Sequence, residues 1–490
     1  MIGMSIKPSE TRALLGWCAV GCGLLALALC LAVTSPLFGY DYAVKDMPVF
    51  WLAGGLAGAG LLYLALPWII CASQSLATAR SRHLLWAMLV AGLAMRLVLF
   101  ASTPALEDDY QRYLWDGAVT ADGLNPYATS PDAAKAADPN EKAVGRLANA
   151  SGLTLGRVNH PELRTLYPPV AQGAFAVAHW IAPWNLNGWR AVLLLFDIAS
   201  VALLLMLLRD LGRSPLWSAL YWWNPVVLKE IYNSAHMDGL IVPLILGGLV
   251  LTLRNRPLAA TASLTIAAGV KIWPIILLPL VWRKLSDQSG MLIACVALAA
   301  LGGALFAWPL ISAGLDQSSG LIAYASKWAT NSALSPLVAA AAGGLLNVFS
   351  IDAVKPALLA RGLIVLALGT VVLWQCRTQA TGARDMTDRW VIVTAAMFLL
   401  SPAQFPWYYV WVLPFLACRP VPGLLVLTAT LPLYYTAFYY LSQDAYAVFS
   451  TRIVWLIWLP AWGLLLWQAR HRIAAILLPA NSVKNAEEAS

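Results

Sequence analysis

The sequence predicts an all-α polytopic membrane protein with about 12–14 transmembrane helices. Sixty per cent of its 490 residues are hydrophobic and only 11% are charged, whereas soluble domains carry about 25% charged residues. Apolar runs recur along the chain, and a helix needs about 20 mostly apolar residues to cross a bilayer. Basic residues flank these runs singly or in pairs, which is typical of cytoplasmic helix ends.

The spanning helices follow from the lengths of the apolar runs. The clear runs are 13–33, 48–70, 84–103, 190–208, 238–254, 290–311, 356–376, 422–441 and 447–468. The shorter or proline-interrupted runs are 168–183, 214–228, 257–283, 335–349 and 389–418. The basic helix ends alternate between the two sides only if 168–183 is a re-entrant or surface helix. Both termini are then cytoplasmic, and loop 104–189 faces the exterior, which for a bacterial inner membrane is the periplasm.

Composition divides the chain into four regions. They are two extra N-terminal transmembrane helices in 1–83, a module in 84–311 that contains loop 104–189, C-terminal transmembrane helices in 312–472, and a polar cytoplasmic tail in 473–490. The net charge of +8 arises at scattered helix ends rather than in one basic patch, so nucleic-acid binding is not expected. The seven cysteines lie in or beside apolar runs, so no disulfide framework is expected in the loop.

Three consecutive acids at the start of the loop carry the strongest functional signal. Glu107, Asp108 and Asp109 directly follow an apolar run, and a charge at bilayer depth costs about 2.5–3.5 kcal/mol. We therefore expect them at a membrane–water boundary, at the start of a short amphipathic surface helix over 107–121, where a carboxylate can act as a catalytic base. The alternative is that they only complement the dipole of that helix.

The acidic stretch resembles the first extracytoplasmic loop of the GT-C glycosyltransferases, in which an acidic pair carries catalysis. The nearest pattern is that of GPI mannosyltransferase I and related bacterial membrane mannosyltransferases, in which Asp-x-Asp-Tyr precedes a Gly-x-Ser-Pro-Tyr turn. The matching segments here are Glu107-Asp108-Asp109-Tyr110 and Gly123-Leu124-Asn125-Pro126-Tyr127. The first acid is Glu rather than Asp, so the role of Glu107 stays open.

Three further segments resemble the same group, in the same order along the chain. They are Thr165-Leu166-Tyr167-Pro168-Pro169, Val270-Lys271-Ile272-Trp273-Pro274 and Gln404-Phe405-Pro406-Trp407-Tyr408. The two helices before residue 84 have no counterpart in the simplest GT-C pattern. The resemblance implies a GT-C-like bundle that inverts the sugar carbon and transfers a hexose, with mannose the nearest guess. The donor is a polyprenyl-phosphate sugar, and the acceptor is a lipid or a glycan.

Four basic residues are candidates for binding the donor phosphate: Lys271, Arg190, His236 and Lys229. Lys271 interrupts an apolar run just before a proline, where its ammonium can pair with a phosphate. The alternative is a lysine that snorkels to the membrane interface, but that would place it on the cytoplasmic side, against the predicted topology. The fork of Arg190 suits phosphate but also suits an interface anchor. His236 could donate to phosphate or act as a base, and Lys229 could merely neutralise Glu230.

The candidates for substrate contact are Tyr167, Tyr110, Asn233, Asp238 and Trp407. Asp238 begins a helix, so capping is its alternative role. No nucleotide-binding fingerprint is present, which agrees with a lipid-linked donor. No cofactor is indicated with certainty, and a divalent metal that bridges Glu107 and Asp109 stays open.

Two other functions compete with the transferase. A flippase for lipid-linked sugars, or a polysaccharide transporter, predicts inverted repeats and broken helices at the midplane, whereas the charges here gather at one interface. A glycan ligase or polymerase of the O-antigen type shares the topology but usually relies on basic or His residues in an outer loop. Carboxylates dominate the longest loop here, which favours the transferase. A non-catalytic scaffold would not need the acids.

Overall fold

The computed structural model describes residues 8–351 and 354–477. All regular secondary structure in these ranges is helical, apart from two isolated bridges, Arg164 to Ser319 and Thr330 to Ala403. Within them, eight helices are long and apolar enough to cross a membrane, or nine if one bent pair counts as a single span. The prediction of an all-α polytopic membrane protein is confirmed.

The N-terminal part is a set of packed helices that ends at the acidic segment. Its helices are Pro8–Thr34 (α1), Val49–Tyr63 (α2), Leu66–Ala72 (α3) and Thr78–Leu99 (α4). The helix α1 packs against the other three. Because α4 has 22 residues, it is about 33 Å long and carries the chain across a bilayer thickness to the acids.

The loop contains four short helices: Asp109–Ala121 (α5), Pro131–Lys135 (α6), Ala143–Ala150 (α7) and Pro169–Ile181 (α8). The helix α8 has 13 residues and is too short to span, as expected for 168–183. The expectation of a surface helix over 107–121 is wrong for α5, because Tyr110–Val119 are all buried. A Cβ atom on Gly117 would lie 2.5 Å from the Phe175 carbonyl oxygen, so glycine permits the close packing of α5 on α8.

The central part contains the helices that shape the site. They are Leu186–Asp210 (α9), Ala219–Trp222 (α10), Pro225–Val227 (α11), Ile241–Leu253 (α12), Pro257–Val270 (α13), Leu278–Trp282 (α14) and Ser289–Ser312 (α15). Between α11 and α12 a π-helical turn, Leu228–Asn233, meets a 3-10 turn, Met237–Leu240, with a bend of 110°. Ala235 at the bend has a φ of +61°, a left-handed conformation that non-glycine residues rarely adopt.

The described residues of the C-terminal part form ten α-helices, besides shorter 3-10 and π-helical turns. They are Gly320–Lys327 (α16), Leu334–Val348 (α17), Pro356–Cys376 (α18), Ala383–Leu400 (α19), Leu413–Cys418 (α20), Pro422–Leu425 (α21), Leu427–Thr430 (α22), Thr436–Ser442 (α23), Tyr446–Val448 (α24) and Val454–Leu477 (α25). The helix α25 includes the first residues of the expected tail 473–490, and the rest, 478–490, lie outside the described ranges.

The number of long apolar helices is smaller than the predicted 12–14. Each clear apolar run of the sequence corresponds to one of the eight long helices or, for 238–254, to one limb of the bent pair. The shorter runs form short or broken helices instead, such as α13 and α17. Prolines and polar residues interrupt them, and a break is tolerated at membrane depth where protein surrounds it.

A buried ion pair joins α4 to α9. Arg96 Nε donates to Asp197 Oδ2 over 2.7 Å, and both side chains are buried. The two carboxylate oxygens also accept hydrogen bonds from Tyr221 and Tyr232, each at 2.6 Å. The guanidinium packs on the Trp222 ring, 3.4 Å from its centroid. Asp197 is thus hydrogen-bonded to residues of neighbouring helices, and its role is structural.

Candidate active site

The segment that leads into the acids is tied to the bend between α11 and α12. Asn233 Nδ2 donates to Ser102 Oγ (3.1 Å) and to the Thr103 carbonyl (2.9 Å), and its Oδ1 accepts from the Ala105 N–H (3.1 Å). Arg190 donates to the carbonyls of Phe100 (3.2 Å) and Asn233 (3.0 Å). Both residues were expected to contact substrate or phosphate. Their polar groups instead hold the chain that presents Glu107.

The three acids surround one end of α5, together with Asn159 from the loop. Asn159 Nδ2 donates to Asp108 Oδ1 (2.7 Å) and lies 3.4 Å from Asp109 Oδ1. Tyr113, one turn along α5, donates to Asp109 Oδ2 at 3.4 Å. The side chain of Asp109 keeps 27% of its surface exposed, whereas that of Glu107 keeps 8%. Of these two acids, Asp109 is therefore the one better placed to meet a substrate.

Burial raises the pKa of all three carboxyl groups. For Glu107 burial raises the pKa well above its ordinary value, although the Lys229 ammonium lowers it. For Asp108 burial, and then the Asp109 charge, raise the pKa to about 6. For Asp109 burial raises the pKa, and the Asn159 hydrogen bond and the Lys271 ammonium oppose that rise. Carboxyl groups shifted in this direction are suited to exchanging protons near neutral pH.

His236 lies at the centre of the site, on the bend. Its ring is buried and stacks on Trp407, with the ring centroids 3.8 Å apart and the planes 16° apart. Trp407 stacks in turn on Phe405, with centroids 4.3 Å apart. Trp407 was expected to contact substrate, but it is buried and positions the imidazole.

Lys271 follows α13 and precedes the 3-10 turn Trp273–Leu277. Its ammonium donates to Asp238 Oδ1 over 2.8 Å, and Trp411 Nε1 donates to the same oxygen over 2.7 Å. The Tyr408 ring lies beneath the ammonium, 3.7 Å from its centroid. The side chain of Lys271 is 22% exposed, and its charge lowers the pKa of Asp109. Lys271 therefore belongs to the same site as the acids.

Lys229 and the two tyrosines have more structural surroundings. Lys229 is buried and donates to the Ala105 carbonyl (3.1 Å) and to Ser234 Oγ. Tyr110 is buried, and its hydroxyl accepts a hydrogen bond from Gln111 Nε2 over 2.8 Å. Tyr167 is half-buried, packs edge-on against Tyr113 and acts electrostatically on Tyr408, so it borders the site.

Sequence reasoning did not identify Asn159, Tyr408, Tyr324 or Trp411. The hydroxyls of Tyr324 and Tyr408 lie 2.6 Å apart beside Lys271. Asn159 comes into reach because Arg112 donates to the carbonyls of 159, 160 and 163. No spacing in the sequence marks Asn159, whereas the late aromatic segment with Trp407 could have suggested Tyr408 and Trp411.

A metal bridge has no ligand set in the described part of the chain. Among those residues, no group of three or more His, Cys, Asp or Glu side chains is arranged to hold a metal ion. The His236 imidazole also lies between Glu107 and Asp109. Its Nε2 is 3.8 Å from the Glu107 carboxylate, and its Nδ1 is 3.8 Å from the Asp109 carboxylate.

The fold and the site define a class of protein: a polytopic membrane protein in which carboxylates and a lysine converge at one end of the helix bundle. Residues 13–286, more than half of the chain, match the family model of the alpha-(1->6)-mannopyranosyltransferase N-terminal domain. The chain belongs to that family and is a membrane glycosyltransferase. The predicted resemblance is thus confirmed at the level of the family, and the match favours a transferase over a transporter.

Two curated relatives carry the same name. The chain is 27% identical to alpha-(1->6)-mannopyranosyltransferase A of Mycobacterium tuberculosis over 406 residues, which cover 76% of this chain and 74% of that protein. It is 22% identical to alpha-(1->6)-mannopyranosyltransferase A of Corynebacterium glutamicum over 356 residues, which cover 64% and 67% of the two chains. No solved structure matches the chain significantly.

Proposed function

We propose that this protein transfers a mannosyl residue from a polyprenyl-phosphate donor to a hydroxyl group of a lipid or glycan acceptor. Mannose is the sugar in the names of both relatives, and the resemblance of loop 104–189 to GT-C enzymes supports the donor class. A lipid-linked donor also suits the geometry. The site adjoins membrane-spanning helices, so the prenyl chain stays in the bilayer while the sugar phosphate enters the site.

The reaction takes place on the extracytoplasmic face. Arg80 near the start of α4 and Arg209 near the end of α9 lie at one end of the bundle, whereas the acids adjoin the opposite ends of both helices. Basic residues favour the cytoplasmic side of short loops. This distribution of basic residues supports an outward-facing position of the acids and cytoplasmic termini.

The observation that carries the proposal is the convergence of a partly exposed acid, Asp109, with a partly exposed ammonium, Lys271. The acceptor oxygen attacks the anomeric carbon while the bond from that carbon to the phosphate oxygen breaks. Asp109 accepts the hydroxyl proton as general base. The bonding electrons leave with the polyprenyl phosphate, and Lys271 stabilises the charge that grows there. Attack opposite the leaving group inverts the configuration.

Arg190 and Lys229 support this chemistry without touching the phosphate. Arg190 holds the segment before the acids, and the buried Lys229 ammonium compensates part of the charge of Glu107. Asp108 shares the Asn159 amide with Asp109. Tyr167 and Tyr408 border the space between Asp109 and Lys271 and supply the wall against which the sugar packs.

The test is transfer by the purified full-length protein from radiolabelled polyprenyl-phosphate mannose to a membrane extract. We expect Asp109→Asn to lose about 10²–10⁴-fold in turnover, the usual contribution of a general base. The matched control is Asp132→Asn, because Asp132 is an exposed acid of the same loop. The proposed base is rejected if Asp109→Asn, at normal membrane levels, transfers as fast as the control. Labelling only from another sugar donor would reject mannose.

A further inference from the structure

A buried group of acids surrounds His236, and the proposed transfer uses only one of them. His236 Nε2 lies 3.8 Å from Glu107 Oε2 and 3.7 Å from Glu230 Oε2. On the other edge of the ring, Nδ1 lies 3.8 Å from Asp109 Oδ2. In the described part of the chain, neither ring nitrogen has a hydrogen-bond partner, nor has one oxygen of each glutamate. Buried polar atoms are normally bonded, so this cluster holds unused donors and acceptors.

The charges of the cluster do not balance without a proton. Glu107 and Glu230 are buried beside the ammonium of Lys229, which acts on both. The other nearby ammonium, Lys271, is engaged by Asp238 at 2.8 Å. Two carboxylates and one ammonium leave one negative charge uncompensated, so a single proton that reaches the pair during the reaction balances its charge. Groups this close share the proton as a set.

The imidazole is fixed with its two edges toward different acids. Its face stacks on Trp407, and its backbone N–H donates to the Glu230 carbonyl over 2.9 Å. One edge therefore points toward Asp109 and the other toward the buried glutamates. These three carboxylates would repel a phosphate group, so the surroundings favour the base role of His236 over the phosphate role.

We propose that His236 relays the proton of the transfer reaction from Asp109 to the buried pair of Glu107 and Glu230. The proposal rests on the proposed function, because Asp109 first receives that proton from the acceptor hydroxyl. Protonated Asp109 gives its proton to Nδ1, while the proton on Nε2 passes to a glutamate oxygen. No electrons are gained or lost, and the proton returns by the same route to water after the product leaves.

The relay returns Asp109 to its ionised form while the bound substrate separates the site from water. The separations of 3.7–3.8 Å exceed hydrogen-bond length, and catalytic contacts of this kind commonly tighten, or take one water, when the substrate is bound. The other titratable groups that interact electrostatically with the cluster include Lys229, Lys271, Arg112, Asp108, Asp238, Tyr113, Tyr167, Tyr324, Tyr434 and Tyr435. Because His236 acts through Asp109, it is a positioning residue rather than a catalytic one.

The experiment compares the wild-type protein with His236→Gln and His236→Gly in the mannosyl-transfer assay, as a function of pH and of added imidazole. The matched control is His83→Gln, because His83 is exposed at the far end of α4. We expect His236→Gln to lose about 10²-fold in kcat, a typical acid–base contribution, with KM for the donor changed less than about threefold. Added imidazole should restore His236→Gly by about 10-fold or more.

A second variant, Glu230→Gln, keeps the volume of the buried side chain. It therefore tests the relay even if His236→Gly fails to fold. Removing one carboxylate weakens proton binding by the relay, so the acidic limb of the kcat profile should move to lower pH. The relay is overturned if the wild type transfers mannose and His236→Gln transfers it as fast as the control. It is also overturned if His236→Gln raises only KM for the donor and imidazole does not restore His236→Gly, because that result would indicate a phosphate ligand. Absence of transfer by the wild type would instead contradict the proposed function.

Discussion

The Arg96–Asp197 pair and the cluster of Glu107, His236 and Glu230 are both buried among the helices, yet their polar atoms are bonded to very different degrees. Both oxygens of Asp197 accept hydrogen bonds, and five hydrogen bonds together with a stacked ring hold the pair, with only Arg96 Nη2 left without a partner within the described residues. In the other cluster, the imidazole nitrogens and two carboxylate oxygens have no partner within the described residues.

The difference shows how to distinguish buried polar groups that hold the fold together from those that can take part in a reaction. A buried pair whose carboxylate oxygens are both bonded fixes the positions of two helices and has no carboxylate oxygen left to accept a proton. A buried group with open donors and acceptors is costly for folding, and it persists where a reaction uses those atoms. Among the described residues, Asn233 belongs with the first kind, despite its position near the acids, because both atoms of its amide are bonded. Arg190 bonds through both terminal nitrogens, and its Nε has no partner.

The largest expected effect on stability comes from breaking the Arg96–Asp197 pair. Arg96→Met leaves the Asp197 carboxylate buried without its cation, which should cost about 3–5 kcal/mol of unfolding free energy. The double variant Arg96→Met with Asp197→Asn should recover most of that loss, because no charge then stays unpaired. Thermal unfolding in detergent measures both, with the exposed Arg209→Met as control.

Glu230→Gln provides the other side of that comparison. It removes charge from a cluster with an uncompensated carboxylate, so it should cost less than about 1 kcal/mol. A loss as large as that of Arg96→Met would mean that the open cluster is also a structural pair, and the distinction would fail.

A pH effect of intermediate size should follow from Asn159→Ala. The Asn159 amide stabilises the ionised forms of Asp108 and Asp109, so its removal should raise the pKa of Asp108 above about 6 and that of Asp109 in the same direction. A base with a raised pKa is protonated at higher pH, so the acidic limb of the transfer rate should shift upward in pH. The rate profile measures this shift, and Asn140→Ala in the exposed loop should leave the limb in place.

The smallest expected effect is that of Trp407→Phe. A stacked aromatic pair contributes about 0.5–1.5 kcal/mol beyond its buried area, and phenylalanine keeps part of the stack on His236. We expect kcat to fall by roughly threefold to tenfold, while unfolding changes little. Trp308→Phe, at an exposed position of α15, is the control. An unchanged kcat would show that the position of the imidazole does not depend on the ring beneath it.

Much of the fold could be predicted from local composition. A run of about 20 apolar residues has few alternatives to a spanning helix, so the clear runs correspond to the long helices of the structure. The count failed at segments such as 257–283, where the chain breaks at Lys271. Proline there removes a helical hydrogen bond, and only the surrounding helices decide whether the two halves continue as one span.

The candidate site was partly predictable. The acids Glu107, Asp108 and Asp109 and the lysine Lys271 stood out because a charge beside hydrocarbon is expensive. Asn159 did not stand out, because an asparagine in a polar loop carries no periodic or energetic signal. Its approach to Asp108 depends on Arg112 holding the loop carbonyls, which is a property of the folded chain.

The sequence by itself determined that this chain crosses a membrane many times and where its costly charges lie, because hydrophobic length and charge burial act residue by residue. The tertiary structure decided which of those charged groups are hydrogen-bonded within the protein and which keep atoms without a partner. Hydrogen bonds that close over long stretches of chain, such as those of Arg190 and Asn233 to residues 100–105, cannot be inferred from spacing. The same contacts set His236 between Asp109 and the buried glutamates.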